Sequence, residues 1–589
     1  MKKTGFWILV WGVVLAAGVC GAQSPEDGRL QSFFTNYLEV YLRQRPLEAS
    51  QLGDHRFDDL LDDISAGARA RWLDLARRTL ERLPREVDYG RLSREGQIDF
   101  EILRDNLKAE VWETENLRSF EEDPRTYGNY LSDGVYSLLA RSSLPREVNV
   151  SNSLARMAQL PRIVAEAERT LGHPPRAILD TAILQNRGAI DFYKGDILEF
   201  AGETPQLERL KAAAAQTAAL LEEYQKFLEG PLKERANGEW RLGKRKFDKK
   251  FELETEAGIT AEENLADAER EFARVRREMY GVARQLWCQY YPERTFPADD
   301  AAGEREAITR VIEAINREHG KPEELIGDAK ATVERIKEFI RKKNYITLPE
   351  PDLCQVIEMP EFRRGNSLAY MDNAPPLDPK AASYYAVSPP PADWDAKRKE
   401  SFLEEYNHYM LQILTIHEGY PGHYVQLAQG AKNGSLIRKV FGSGVYIEGW
   451  AVYGEITMLN EGYGGGDERL RMMQLKFYLR AVANSIIDYK MHCLNMGEEE
   501  MVKFLVEEAF QSDGEARLKL IRARQSSVQL STYFVGRMAH YRLHQQIERE
   551  MGDGFNLGRY HDAVVGEGAI PVKYLPEVVR MRLGVGKGR

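Results

Sequence analysis

A proline set between two glycines interrupts a helical run in the C-terminal half of this chain. The segment reads His417-Glu418-Gly419-Tyr420-Pro421-Gly422-His423. Pro421 has no N–H, and in a continuing helix its ring would strike the carbonyl of His417, four residues back. Tyr420 precedes the proline and is driven away from helical angles. Gly419 and Gly422 accept almost any backbone angle. The helix entering from about residue 397 must therefore stop near Glu418. A bulge is predicted over 419–422, with helix resuming at Tyr424-Val425-Gln426-Leu427-Ala428.

The bulge decides the chemistry. His417-Glu418 opens like H-E-x-x-H, in which two histidines one helical turn apart hold zinc and the glutamate acts as general base. Here the second histidine comes two residues late. On a regular helix, residues six apart point in different directions. With a bulge between them, His417 and His423 can reach one ion at about 2.0–2.1 Å. The segment Tyr446-Ile447-Glu448-Gly449-Trp450-Ala451-Val452-Tyr453-Gly454-Glu455 reads as a helix with both acids near one face. Its apolar neighbours imply burial, where a carboxylate needs a metal or a partner. Glu448 is the expected third ligand; Glu455 is the fallback or the hydrogen-bond partner of a ligand. A later helix carries Asp488 and His492, four apart. Asp488 is a candidate to orient a ligand histidine; a local bond between the two is the alternative.

Composition narrows the remaining classes. The chain has 589 residues, 43% hydrophobic and 29% charged, as soluble globular proteins do. Its net charge of -10 argues against general nucleic-acid binding. Lys2-Lys3, an apolar stretch from Phe6 to Val19, and Cys20-Gly21-Ala22 read as a signal peptide over 1–22. The mature protein is expected to be exported, periplasmic or extracellular, with a lipid tether at Cys20 as the weaker option. No later segment has the roughly 20 apolar residues of a membrane span. Cys288, Cys354 and Cys493 do not form a disulfide framework.

Helical periodicity dominates the rest, with long amphipathic stretches near 204–233, 259–287 and 301–343. Between about 343 and 393, Tyr345-Ile346-Thr347-Leu348, Cys354-Gln355-Val356-Ile357-Glu358 and Ser383-Tyr384-Tyr385-Ala386-Val387 read as short strands. An edge strand there would bind an extended peptide, which makes Tyr384 and Tyr385 candidate substrate contacts. Helix then returns over 397–418, 445–461, 467–494 and 513–550. The last of these carries Tyr533, a candidate oxyanion donor, and Arg542, a candidate substrate contact. The expected organisation is a helical lobe over 23–342 and a metal-binding lobe over 343–589, together one catalytic unit.

These residues resemble the bacterial family catalogued as domain of unknown function 885, which looks like a distant relative of the zincin metallopeptidases. The resemblance rests on residues 46–58, on Gly243-Lys244-Arg245-Lys246-Phe247-Asp248, on His417 to His423 and on Glu448-Gly449-Trp450-Ala451. Tyr533 with Gly536, and His561-Asp562 followed by Pro571, add to it. Many relatives carry another histidine directly after the motif, where this chain has Tyr424. The resemblance implies a mainly α, multi-helical zincin-type fold with a cleft and a small β-sheet near the metal helix. It also implies peptidase activity. The expectation is a zinc-dependent peptide hydrolase: His417, His423 and Glu448 hold Zn2+, Glu418 is general base, and a peptide or other small amide is the substrate. Hydrolysis of esters or non-peptide amides, and a catalytically silent exported binding protein, remain the alternatives. Oligomeric state is open.

Overall fold

The computed structural model describes residues 24–359, 368–378, 380–391 and 394–585. The leader at 1–22, with Cys20, lies outside the described residues. Helices dominate, and the described strands form one three-stranded sheet. Helix starts follow capping chemistry. Ser24 with Asp27 and Thr260 with Glu263 form reciprocal pairs at the heads of Pro25–Gln44 and Ala261–Tyr290.

Several long stretches divide. The 301–343 stretch is two helices, Ala301–Asn316 and Leu325–Lys343, split around Gly320-Lys321-Pro322. The 397–418 stretch is Ala396–Glu405 followed by the His417 helix, His408–Glu418. The side chain of Asn407 caps the latter by accepting from the N–H groups of Tyr409 and Met410. The 513–550 stretch is the Lys519 helix, Asp513–Gln525, and the Tyr533 helix, Thr532–Met551. Between the His417 and Lys519 helices in sequence stand the Glu448 helix, Gly444–Asn460, and the Asp488 helix, Glu468–Cys493.

Strands β1 (Cys354–Glu358), β2 (Ala369–Asp372) and β3 (Ser383–Val387) lie in the order β1-β3-β2. β1 runs parallel to β3, and β2 antiparallel, with Met371 opposite Tyr385. The strand expected at 345–348 is absent from this sheet. Its backbone bonds go elsewhere: the Tyr345 N–H donates to the Ile340 carbonyl, the Tyr345 carbonyl accepts from His561, the Thr347 N–H donates to Asp562, and the Thr347 carbonyl accepts from Gln429. β2 takes its place; four residues are too few for alternation to stand out in sequence.

The apolar side chains form two cores. One lies within the N-terminal part and includes Tyr127, Leu160 and Leu221. The larger joins Phe34, Val275 and Ile340 to Ile416, Trp450, Tyr478 and Val564. Residues on both sides of position 342 thus share one interior. Within that core the Glu448 and Tyr533 helices come into backbone contact at Gly449 and Gly536. A Cβ on Gly449 would overlap Gly536, and one on Gly536 would overlap the Val445 carbonyl. No helix among the described residues is long and apolar enough to cross a membrane. Cys288, Cys354 and Cys493 are free thiols.

Candidate metal centre

The His417 helix ends where the proline demands. Gly419 leaves helical angles (φ -102°, ψ -87°), and the Tyr420–Pro421 peptide is cis. The chain folds back over the helix end, so that the Gly422 N–H donates to the Ile416 carbonyl at 3.0 Å. A Cβ on Gly422 would overlap the carbonyls of His417 and Ile416, so only glycine fits this return. His423 then opens the next helix, His423–Gly430. The two imidazoles come to rest 4.8 Å apart between ring centroids, nearly perpendicular at 83°. Trp450 holds the bulge against the Glu448 helix by donating its indole N–H to the Pro421 carbonyl at 2.9 Å.

That contact brings Glu448 over both histidines. Its Oε2 lies 3.7 Å from His417 Nε2 and 3.6 Å from His423 Nε2. One ligand atom from each of the three residues lies within 4.8 Å of the others. A tetrahedral ion with bonds of about 2.0–2.2 Å has ligand-to-ligand edges of about 3.4 Å, so the spacing suits a single zinc-sized cation. It is too wide for hydrogen bonds, and Glu448 Oε2 is buried with no donor among the described residues. The donor set of two imidazoles and one carboxylate is also that of a catalytic zinc site.

Glu455, one face-repeat along the same helix, accepts from His417 Nδ1 at 2.7 Å. This fixes the tautomer and turns Nε2 toward Glu448. Burial disfavours the charged His417 ring, but Glu448 and Glu455 outweigh it and push its pKa up to about 10. Burial moves His423 the other way, to about 4, against the opposing pull of Glu448.

Glu418 faces a cavity of about 180 Å³ whose walls include Leu368, Ala369, His417, Arg522 and Tyr533. Its Oε2 accepts the Met371 N–H at 2.9 Å. Burial raises its pKa to about 7, His417 opposing and Glu448 assisting. The Tyr533 hydroxyl accepts from Arg522 at 3.0 Å. Burial, then the charge of Glu448, raises its pKa, so the hydroxyl keeps its proton for donation.

The family profile described as bacterial protein of unknown function, DUF885, matches residues 46–579. The chain belongs to the DUF885 family. Solved structures similar to this DUF885 member include a candidate lipoprotein of unknown function from Shewanella oneidensis. It is 28% identical, with a TM-score of 0.79 over 94% of this chain and 99% of that one. A candidate lipoprotein from Colwellia psychrerythraea, 16% identical, shares the fold with a TM-score of 0.76 over 95% of this chain and 99% of its own. No curated protein matches the sequence.

The remaining expected site residues of the DUF885 chain lie elsewhere. Asp488 accepts the N–H groups of Val528 and Ser531, each at 3.1 Å, and the Ser531 hydroxyl at 2.8 Å. It thus ties down the turn before the Tyr533 helix. His492 Nε2 lies 3.2 and 3.0 Å from the carbonyls of Ala523 and Ser526, and its Nδ1 accepts the Leu242 N–H. Neither is bonded to His417 or His423; Glu455 takes that position on His417. Arg542 pairs with Asp267 at 2.8 Å on another part of the surface. Tyr385 is buried, its hydroxyl 3.0 Å from Thr415 Oγ1, and it braces the His417 helix. Tyr384 alternates to the opposite face of β3, and neither tyrosine lines the cavity. The sequence reading missed the contributions of β2 and of Arg480, Lys519 and Arg522. The last two stand three apart, a helical spacing that puts both on one side.

Proposed function

We propose that this DUF885 protein is an exported, zinc-dependent peptide hydrolase of the zincin type. The observation that carries the reading is the convergence of His417, His423 and Glu448 on one ion-sized point, with Glu455 orienting the first ligand and Glu418 beside it. When bound, zinc supplies Lewis acidity, which makes water more acidic and polarises a carbonyl. Neighbouring divalent ions suit the same donors.

The chain's own groups do the rest. Glu418 keeps one oxygen on the Met371 N–H, which leaves the other to take a proton from water. A carboxyl with a pKa of about 7 accepts that proton and returns it to the leaving amine near neutral pH. Tyr533 donates its hydroxyl hydrogen to the carbonyl oxygen as negative charge develops there. β2 is an edge strand, and its Met371 N–H turns away from β3 toward Glu418. This supports an extended substrate lying along β2. The leader-like first 22 residues and the description of two similar structures as candidate lipoproteins support export.

The test is metal analysis of the purified protein, paired with mass-spectrometric reading of a mixed peptide pool with and without chelator. Zinc and chelator-sensitive cleavage are expected. A folded preparation that takes up no transition metal would end the reading.

A further inference from the structure

The cavity in front of Glu418 has a charge asymmetry that hydrolysis of an internal peptide bond does not explain. Its walls bring together Arg480, Lys519 and Arg522 against one acid, Glu418. Arg480 is neutralised by Glu515 at 2.9 Å. Lys519 is only 5% exposed, yet it has neither a hydrogen bond nor an ion pair among the described residues. Arg522 donates only to neutral oxygens, Gln529 Oε1 at 2.7 Å and the Tyr533 hydroxyl at 3.0 Å. Neither Lys519 nor Arg522 is thus paired with a carboxylate among the described residues, Glu515 and Glu448 acting on Lys519 and Glu448 on Arg522 only at longer range; a buried basic group without a close anion is costly unless a ligand completes it. Burial first, then the charges of Arg480 and Arg522, holds the Lys519 pKa well below the ordinary lysine value against the opposing pull of Glu515 and Glu448. An arriving anion would relieve that repulsion.

Size and lining narrow the ligand. About 180 Å³ compares with the roughly 150 Å³ of a cavity that holds one benzene, a size that suits a single amino-acid residue. Leu368, Leu414, Val452, Phe477 and Ala481 supply apolar wall. Asn484 also lines the space, and its Oδ1 has no donor among the described residues. It is available to a substrate N–H.

We infer that the cavity binds the C-terminal residue of a peptide, its free carboxylate held between Lys519 and Arg522 and its apolar side chain against Leu414 and Phe477. This rests on the peptide-hydrolase reading and narrows it to a carboxypeptidase. Water adds across the last peptide bond: the carbonyl carbon gains the hydroxyl, the C–N bond breaks, and the released amino acid takes the proton through Glu418.

The experiment compares N-acetyl-Ala-Ala-Leu with its C-terminal amide. With zinc-loaded protein, release of leucine from the free acid should exceed cleavage of the amide by on the order of 100-fold. Lys519→Met and, independently, Arg522→Gln should bring the two substrates within a few-fold of each other, with melting temperature checked for each. Calorimetry on Glu418→Gln protein reads binding without turnover, and there too the acid should bind more tightly than the amide. If neither peptide is cleaved but the acid still binds preferentially, the hydrolase reading fails and the carboxylate site stands. Equal cleavage of acid and amide, or equal or absent binding of both, overturns the inference.

Discussion

Glu455→Gln removes a buried charge while preserving shape, and so isolates what that carboxylate does for metal binding at the proposed site. Glu455 is fully buried and accepts from His417 Nδ1 at 2.7 Å. A glutamine oxygen still accepts this bond and fills the same volume, so the metal-free protein should keep its stability to within about 1 kcal/mol. The ring, however, loses the negative partner that makes Nε2 a better donor. Such outer partners are worth about 10–100-fold in metal affinity, or about 1.4–2.7 kcal/mol. Zinc affinity would be read by competition with a chromophoric chelator for wild type, Glu455→Gln and Asp488→Asn side by side. Glu455→Gln should bind at least about tenfold more weakly, and Asp488→Asn should match wild type. Undiminished affinity in Glu455→Gln, or an equal loss in Asp488→Asn, would refute the assignment of Glu455 as the orienting group.

Glu418→Gln should retain zinc and lose about 10²–10⁴-fold in turnover; full activity in that variant would remove Glu418 from the mechanism. Tyr533→Phe should lower kcat by about 10²–10³-fold if its hydroxyl serves the oxyanion, which steady-state kinetics on a cleaved peptide would show; an unchanged kcat excludes it. Gly422→Ala forces a methyl against the His417 and Ile416 carbonyls, so thermal unfolding should reveal a loss of about 1–3 kcal/mol together with weaker zinc binding. If neither changes, the fold-back is not as tight as described. Burial raises the Asp488 carboxyl from its ordinary 3.8 to about 7. The folded state therefore binds that proton more tightly than the unfolded chain, and the resulting stability is full below about pH 4 and lost as pH rises through about 7. Urea denaturation across that window should show a shallower slope for Asp488→Asn, and an unchanged slope would contradict the linkage.

The helical character was legible because apolar residues at three- and four-residue steps can bury only one stripe of a helix. Chain breaks were less legible. Asn407 interrupts an apparently continuous stretch by accepting two N–H groups with its own side chain, and Asp488 organises the turn at 528–531 from a separate helix. Periodicity does not register such bonds, because the capping group need not fit or break the apolar pattern. The strand expected at 345–348 failed for a related reason. A β-prone composition states what a segment tolerates, whereas the partner was set by Asp562, Gln429 and His561.

The candidate metal centre divides along the same line. Covalent geometry within 417–423 was enough to require a helix break, since no proline ring fits over the His417 carbonyl. Glu448 followed from an acid placed among apolar neighbours. Nothing local distinguishes Glu455 from Asp488 as the orienting carboxylate, and nothing local aims Lys519 and Arg522 at a shared cavity. Those outcomes depend on which helix faces meet, and here Gly449 and Gly536 set the meeting by letting two backbones touch. Sequence spacing determines which side chains share a face; only the packed interior decides what that face confronts, because close packing is a property of pairs of surfaces rather than of one strand of residues.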